Sequence, residues 1–441
     1  MAVRLQAVRQ RMFFGWWLVG AGSIIQMLIG ALMQHSFGAY AAALTREYGW
    51  SRSQMGFVYS LSRVETGLLG PIEGWLIDHF GARNIMRGGL VMFGLSLMFF
   101  SQTRALWMFY LSFGLISIGA SLGGFMPITV SIVRWFERFR GRAMGISSVG
   151  FAVGGLIAPI VVLSIDQFGW RETAFASGVL VMALGLPLTT LFKDRPQDIG
   201  QHVDGISPEA KAAYNLANPE RGAIFTDVDF TPGEALRTRA FWMIALGHGA
   251  ALTVVTAVMA HLFLHLTESL GYSDGVAAGI LAFMTAMQVT GQVAGGFLGD
   301  RLSKRFIAMA CMSMHAAGLL LVAYFGDVFI AAIGFAVLHG FAWGARGPLM
   351  QAIRADYFGR SSFGSIMGFS SMILMIGQMS GPIIAGVLYD RTGSYESGFT
   401  IIAIIAALGS IFFMLSWRPK PPATSATLGL VTPAAEPAGG A

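Results

Sequence analysis

The chain has 441 residues, of which 55% are hydrophobic and only 12% charged, and its mean hydropathy is +0.64. Soluble proteins carry about 25% charged residues, so this composition excludes an ordinary soluble domain, and one cysteine, Cys311, excludes an internal disulfide. The net charge of +6 raises the question of a nucleic-acid partner, which the placement of the cations answers in the negative.

Twelve apolar runs follow one another along the chain, at about 14–44, 55–77, 88–103, 105–133, 143–165, 173–192, 240–267, 275–299, 307–325, 328–353, 363–388 and 398–416. About 20 residues suffice to cross the roughly 30 Å of bilayer hydrocarbon. The first run is too long for a signal peptide, and no small-residue cleavage site follows it, so it reads as a retained anchor. With an even number of spans, 22 of the 29 Lys and Arg fall in the segments on the side of the termini. Five lie in the opposite loops (Arg46, Arg52, Arg104, Arg171 and Arg391), and Arg63 and Arg346 fall inside spans. This bias follows the positive-inside rule. It predicts a multi-pass protein of the cytoplasmic (inner) membrane with both termini in the cytoplasm, whose partners are the lipid bilayer and not nucleic acid.

The longest polar stretch, 193–239, lies between the sixth and seventh runs. Thr231-Pro232-Gly233-Glu234 has capping-box spacing with proline at the first helical position, which predicts a short helix leading into the seventh run. A second short helix is expected from Pro208 to Ala217. The tail after Trp417 is rich in Pro, Ala, Gly and Thr and is expected to be disordered. The expected organisation is a six-helix bundle over 1–192, a connector over 193–239, a second six-helix bundle over 240–417 and a tail over 418–441. Glycine is frequent, with 57 residues, and Gly119-x3-Gly123, Gly150-x3-Gly154 and Gly377-x3-Gly381 have the spacing that lets helices approach closely in lipid.

The two halves repeat one another. Gly74-Trp75-Leu76-Ile77-Asp78-His79-Phe80-Gly81-Ala82-Arg83 closes the second run, and Gly296-Phe297-Leu298-Gly299-Asp300-Arg301-Leu302-Ser303-Lys304-Arg305 closes the eighth, 222 residues later. Gly49-Trp50-Ser51 pairs with Gly271-Tyr272-Ser273 at 222, and Met144 to Ser148 with Met367 to Ser371 at 223, as does Pro159 with Pro382. Two copies of one helical unit with a cavity between them is how many secondary transporters are built. The fold class expected is an all-α membrane protein of twelve transmembrane helices in two pseudo-repeated six-helix bundles.

The Gly-x3-Asp-x2-Gly-x-Arg pattern of Gly74, Asp78, Gly81 and Arg83 resembles the loop motif between spans two and three of the major facilitator superfamily. Its second copy keeps Gly296, Asp300 and the basic Arg305, but has Ser303 at the central glycine, and His79 stands at a usually basic position. The resemblance implies that Asp78 and Asp300 hold an inner gate by pairing with cytoplasmic helix ends. Phe14-Gly15-Trp16-Trp17 and the stretch Trp135 to Gly150 are similar to signatures of the monocarboxylate transporter and oxalate/formate antiporter group. The charged pair which that group places in span eight is replaced here by Gln288 and Gln292, and span one lacks a lysine. The group's substrate mechanism does not carry over intact.

Charges inside the bilayer demand a reason, since each costs about 2.5–3.5 kcal/mol at mid-membrane on insertion scales. Arg346 lies ten residues before Asp356, about 15 Å from the end of its span, among small residues. It is either a fork for an anionic substrate or a structural residue that pairs with an ion or satisfies backbone carbonyls, and Arg63 in span two is the second anion candidate. Glu65 is the candidate proton carrier, because a partly buried carboxyl holds its proton more tightly; its alternative is also a structural pair. Glu73, nearer the loop motif, reads as part of the gate. His35 and His261 occupy equivalent positions, 226 apart, as substrate-hydrogen-bonding or relay candidates, with Gln26, Gln288, Gln292 and Gln378 as further cavity candidates. His261 and His265 have a zinc-compatible spacing, but no carboxylate or cysteine accompanies them, so no metal and no cofactor is expected. His248, His315 and His339 read as helix contacts, and Trp16, Trp17, Trp50, Trp170 and Trp417 as interface anchors.

No nucleophile–base set or phosphate loop appears in the sequence, which argues against an enzyme. The function expected is proton-coupled transport of a small organic anion, such as a carboxylate, by alternating access in a monomer. A proton antiporter exporting drugs or metabolites is the alternative, and a non-transporting receptor or assembly partner is the alternative of another class.

Overall fold

The computed structural model describes residues 13–217 and 229–422, and those residues contain helices and no strands. The membrane-length helices are α1 (Gly15–Tyr48), α2 (Arg52–Phe80), α3 (Ala82–Ser101), α4 (Leu106–Trp135), α5 (Arg140–Phe168) and α6 (Trp170–Leu191) in the first half. In the second half they are α7 (Arg239–Ser269), α8 (Asp274–Gly299), α9 (Lys304–Phe325), α10 (Phe329–Phe358), α11 (Phe363–Thr392) and α12 (Glu396–Met414). Eleven of these are apolar enough to cross a membrane by composition. The twelfth, α2, has the length, at 29 residues, but Arg63, Glu65, Glu73 and Asp78 lower its hydropathy. The expected tail beyond residue 422 and the side chain of Arg63 lie outside the described residues.

Local chemistry sets the helix ends. Ser51 starts α2 with a capping box, its hydroxyl accepting from Gln54 N at 3.2 Å while Gln54 Oε1 accepts from Ser51 N at 2.9 Å. Thr231 and Glu234 form the same device ahead of the short helix Pro232–Leu236, and Pro208–Ala217 is helical too. Between α2 and α3 the chain turns on the single residue Gly81, at φ +84°, a backbone that L side chains rarely adopt. In the second copy α8 stops at Gly299, and Asp300 to Ser303 make a longer turn in which Ser303 sits at φ −63°. That is why the repeat tolerates serine at this place. Three helices are locally irregular. α1 and α7 each contain a π-helical turn, over Gly30–Gln34 and His265–Ser269, and α4 breaks at Gly124, with φ −126° and ψ −108°.

Each half has its own hydrophobic core. Phe93, Phe109, Trp135 and Phe136 anchor the first, and Phe335, Phe358, Phe399 and Phe413 the second. Glycines set the approach between halves. Gly67, Gly70 and Gly74 of α2 lie against Met375, Gly368 and Gly364 of α11, and Gly145 and Gly141 of α5 lie against Gln292 and Gly296 of α8. A Cβ on Gly364 would stand 2.7 Å from Gly74 O, and one on Gly296 would stand 2.8 Å from Gly141 O. All these approaches occupy the half of each helix nearer the connector. Further along, Leu156, Ile160 and Leu163 of α5 and Ile376 and Ile383 of α11 are exposed. The two halves are thus zipped together at the connector end by two related seams, α2–α11 and α5–α8.

Candidate functional site

The two motif aspartates sit on these seams and do the same thing in mirror order. Asp78, near the end of α2, accepts from Gly364 N (3.2 Å), Ser365 N (2.8 Å) and Ser365 Oγ (2.9 Å) at the start of α11. Asp300, just past α8, accepts from Gly141 N (2.8 Å) and Arg142 N (3.3 Å) at the start of α5. Both therefore bind the free N–H groups of a helix N-terminus, where the helix dipole favours an anion. Gly141 and Gly364 are 223 apart, so the receiving helices are equivalent as well. Burial pushes the Asp300 carboxyl up from 3.8 to about 6, against the lowering effect of Gly141 N–H, Lys304 and Arg142.

Cations complete the two seams. Arg134 of α4 reaches Asp78 at 3.5 Å and Asp194 at 3.9 Å, and Arg142 Nε reaches Asp300 at 3.1 Å. Asp356 of α10 ties the halves together, pairing with Arg140 of α5 and with Lys304 of α9 at 2.7 Å. The other motif residues divide by role. Gly74 and Gly296 give the close approach, and Gly81 gives the turn, its Cα facing Asp194. Arg83 has a buried Nε without a hydrogen-bond partner, and Arg305 lies over the rings of Trp417 (4.1 Å) and Phe306 (4.7 Å) rather than on a seam carboxylate.

The second constellation is cationic and lies on α10. Arg346 and Arg354 are each 1% exposed. Eight residues apart, they are separated by about 12 Å along the helix axis and about 80° around it. Arg354 Nη2 meets His248 Nδ1 of α7 at 3.2 Å, its Nε meets Ser370 Oγ of α11 at 3.2 Å, and Nη1 meets Met350 O at 2.9 Å. Arg346 has Nε and Nη1 buried with no hydrogen-bond partner among the described residues. Its neighbours in charge are Cys311 of α9, His248 and Arg354. Beside it, His315 of α9 and His339 of α10 face each other, Nδ1 to Nδ1, at 3.1 Å. Among the described residues, neither guanidinium has a carboxylate partner. Arg354 lies just past the tenth apolar run, 328–353, but α10 runs on to Phe358 and carries it inside.

The remaining candidates are dispersed. Gln288 and Gln292 are buried on α8, and Gln292 Oε1 has no partner. His35 is exposed and meets Phe151 O at 3.2 Å, while His261 meets Pro382 O at 3.0 Å and Tyr395 Oη at 3.3 Å. His265 turns to Val322 O of α9, so it and His261 serve different helices. Glu65 is partly buried. Glu73 is 3% exposed; Ser121 Oγ of α4 donates to one of its oxygens at 2.5 Å, and the other has no partner. It points into the first half rather than across a seam. No group of three or more metal-ligating side chains occurs among the described residues.

Two helical bundles related by a sequence repeat, with paired seams at one end, define a two-bundle membrane transporter. The Major Facilitator Superfamily profile matches residues 22–295 and 244–435. The chain belongs to that superfamily and is a transporter, not an enzyme. It is 25% identical to mouse "Monocarboxylate transporter 11" over 413 residues, 91% of this chain and 87% of the relative. Among solved structures it is similar to the human organic anion transporter MFSD10 (TETRAN), with a TM-score of 0.68 and 17% identity over 90% of this chain and 98% of that one. It is similar in the same degree to the E. coli fucose:proton symporter FucP, with a TM-score of 0.68, 15% identity and coverage of 91% and 98%. These likenesses establish the fold.

Proposed function

We propose that the chain carries a small organic anion, of the carboxylate class, across the cytoplasmic membrane by proton-coupled alternating access, with the connector end facing the cytoplasm. One observation carries the anion: the guanidiniums of Arg346 and Arg354 are buried on one side of α10 with no carboxylate partner among the described residues. A buried charge without a counter-charge is expensive, and a carboxylate entering between them offsets that cost and gains forked hydrogen bonds. The name of the mouse relative, a monocarboxylate transporter, supports the same substrate class.

Asp78 and Asp300 act as the inner gate. Closing the two seams lets them cap α11 and α5; rocking the bundles apart withdraws both carboxylates from the helix N-termini. Proton coupling is placed on the carboxyls of α2. Glu65 is one carrier, and Glu73 is the other, since protonation removes the charge that its dry position would otherwise have to bury.

The test is uptake into proteoliposomes of labelled mono- and dicarboxylates under an imposed pH gradient. The wild type is compared with Arg346→Gln and Arg354→Gln. Gradient-driven uptake of one carboxylate, lost in either variant, is expected. Normal uptake by both variants removes the arginines from the site. Exchange of a cationic or neutral compound for protons, with no carboxylate moved, overturns the anion reading.

A further inference from the structure

The connector is held to both halves by a matched pair of aspartates that the repeat does not explain. Asp204 accepts from Glu137 N at 3.2 Å and Arg138 N at 2.7 Å, in the loop before α5. Asp229 accepts from Arg360 N at 2.6 Å, Ser361 N at 3.1 Å and Ser361 Oγ at 2.6 Å, in the loop before α11. Glu137 and Arg360 are 223 apart, and so are Arg138 and Ser361, the same offset that relates Gly141 to Gly364. The receiving loops are therefore equivalent by duplication. The aspartates are not: they stand 25 residues apart in one connector. Two unrelated segments have arrived at the same pair of N–H groups, which inheritance from a single ancestral copy does not account for.

Each loop feeds directly into a seam. Four residues beyond the Asp204 contacts lie Gly141 and Arg142, held by Asp300; four beyond the Asp229 contacts lie Gly364 and Ser365, held by Asp78. Consecutive backbone donors at the start of α5 and of α11 thus face two carboxylates, one from the connector and one from the opposite half. The connector ends are themselves anchored on the half they serve. Trp135 Nε1 donates to Lys193 O at 2.7 Å, and Gln201 accepts from Phe14 N at 3.3 Å. On the other side Phe230 N donates to Phe358 O at 2.9 Å, with the two rings edge to face.

We infer that Asp204 and Asp229 are positioning residues for the gate: each fixes the turn that presents helix N–H groups to Asp300 or Asp78. This rests on the reading that the seams open and close during transport. When they open, Asp300 and Asp78 leave with the opposite half, while Asp204 and Asp229 stay on their loops and keep the donors aimed for re-closure. Preorganised donors lower the cost of each closing event.

A double-mutant cycle on the full-length protein tests this. Spin labels at Asn84→Cys and Leu302→Cys, on opposite halves at the connector end, report the ratio of seam-closed to seam-open molecules. Asp300→Ala and Asp78→Ala are each expected to lower that ratio, and Asp204→Ala and Asp229→Ala to lower it about fivefold to tenfold. The pairs Asp204/Asp300 and Asp229/Asp78 are expected to be non-additive, because each pair acts on one turn, whereas Asp204/Asp78 and Asp229/Asp300 are expected to add. A purely structural role predicts lower thermal stability with no such pattern. Additivity in all four pairs, or an unchanged ratio in the connector variants, overturns the inference. An unchanged ratio in Asp300→Ala and Asp78→Ala overturns the gate reading itself. Where an alanine variant does not fold, Asp204→Asn and Asp229→Asn keep one acceptor and carry the same comparison.

Discussion

Gly296→Ala isolates one seam with the smallest possible change. An added Cβ would stand 2.8 Å from Gly141 O and 3.1 Å from Arg142 Cα, both backbone atoms that cannot swing aside. Ordinary contact begins near 3.4 Å, so α5 must retreat from α8 by roughly 0.6 Å. Overpacking of this kind costs about 1–3 kcal/mol. The three atoms nearest to the methyl all belong to Gly141 and Arg142, across the seam, so in the seam-open form this cost disappears. The closed-to-open ratio is therefore expected to fall about 5- to 150-fold. Spin-label distances between positions 84 and 302 measure it, and the single native cysteine, Cys311, is buried and does not interfere. A ratio unchanged within twofold, in a protein that folds normally, would refute the claim that these glycines close the seam.

Two other perturbations bear on the charges. Because the Asp300 carboxyl sits at about 6 with the seam closed, above its ordinary 3.8, the closed form binds more protons between those values. Its share is expected to grow as pH falls through about 6 and to shrink as pH rises. Asp300→Asn, which keeps an acceptor and discards the charge, should flatten that dependence in the same spin-label measurement; an unaltered profile assigns the pH response elsewhere. Arg346→Leu removes a buried charge whose Nε and Nη1 have no hydrogen-bond partner among the described residues. It is expected to raise stability by up to about 3 kcal/mol in a thermal-unfolding assay while abolishing carboxylate uptake. A destabilised Arg346→Leu would mean that the guanidinium is compensated.

Much of this architecture is written locally in the chain. Run length and cation placement locate the spans, and the 222-residue repeat marks Asp78 and Asp300 as helix-end carboxylates because each follows an apolar run by a fixed spacing. Their acceptor roles are not legible, since Gly364 and Gly141 are brought to them only when the halves dock. Arg354 escapes a positional reading for a simpler reason: Arg354-Ala355-Asp356 looks like the start of a polar loop, yet α10 keeps its hydrogen bonds to Phe358 and turns Arg354 toward His248. The serine at 303 reads as a lapse in the motif until the longer turn after Gly299 is seen to need no left-handed residue. Asp204 and Asp229 carry no repeat signal at all, because symmetry resides in the loops they grip.

The anchoring of the connector also decides where this chain can be cut. Residues up to Ala217 include the contacts made with the first half, and residues from Asp229 onward include those made with the second. A break placed between them severs none of these hydrogen bonds, so each fragment would keep its own loop clasp. The glycine and carboxylate contacts between the halves are made by separate surfaces, so two fragments that each keep a clasped loop would carry matching faces for re-association.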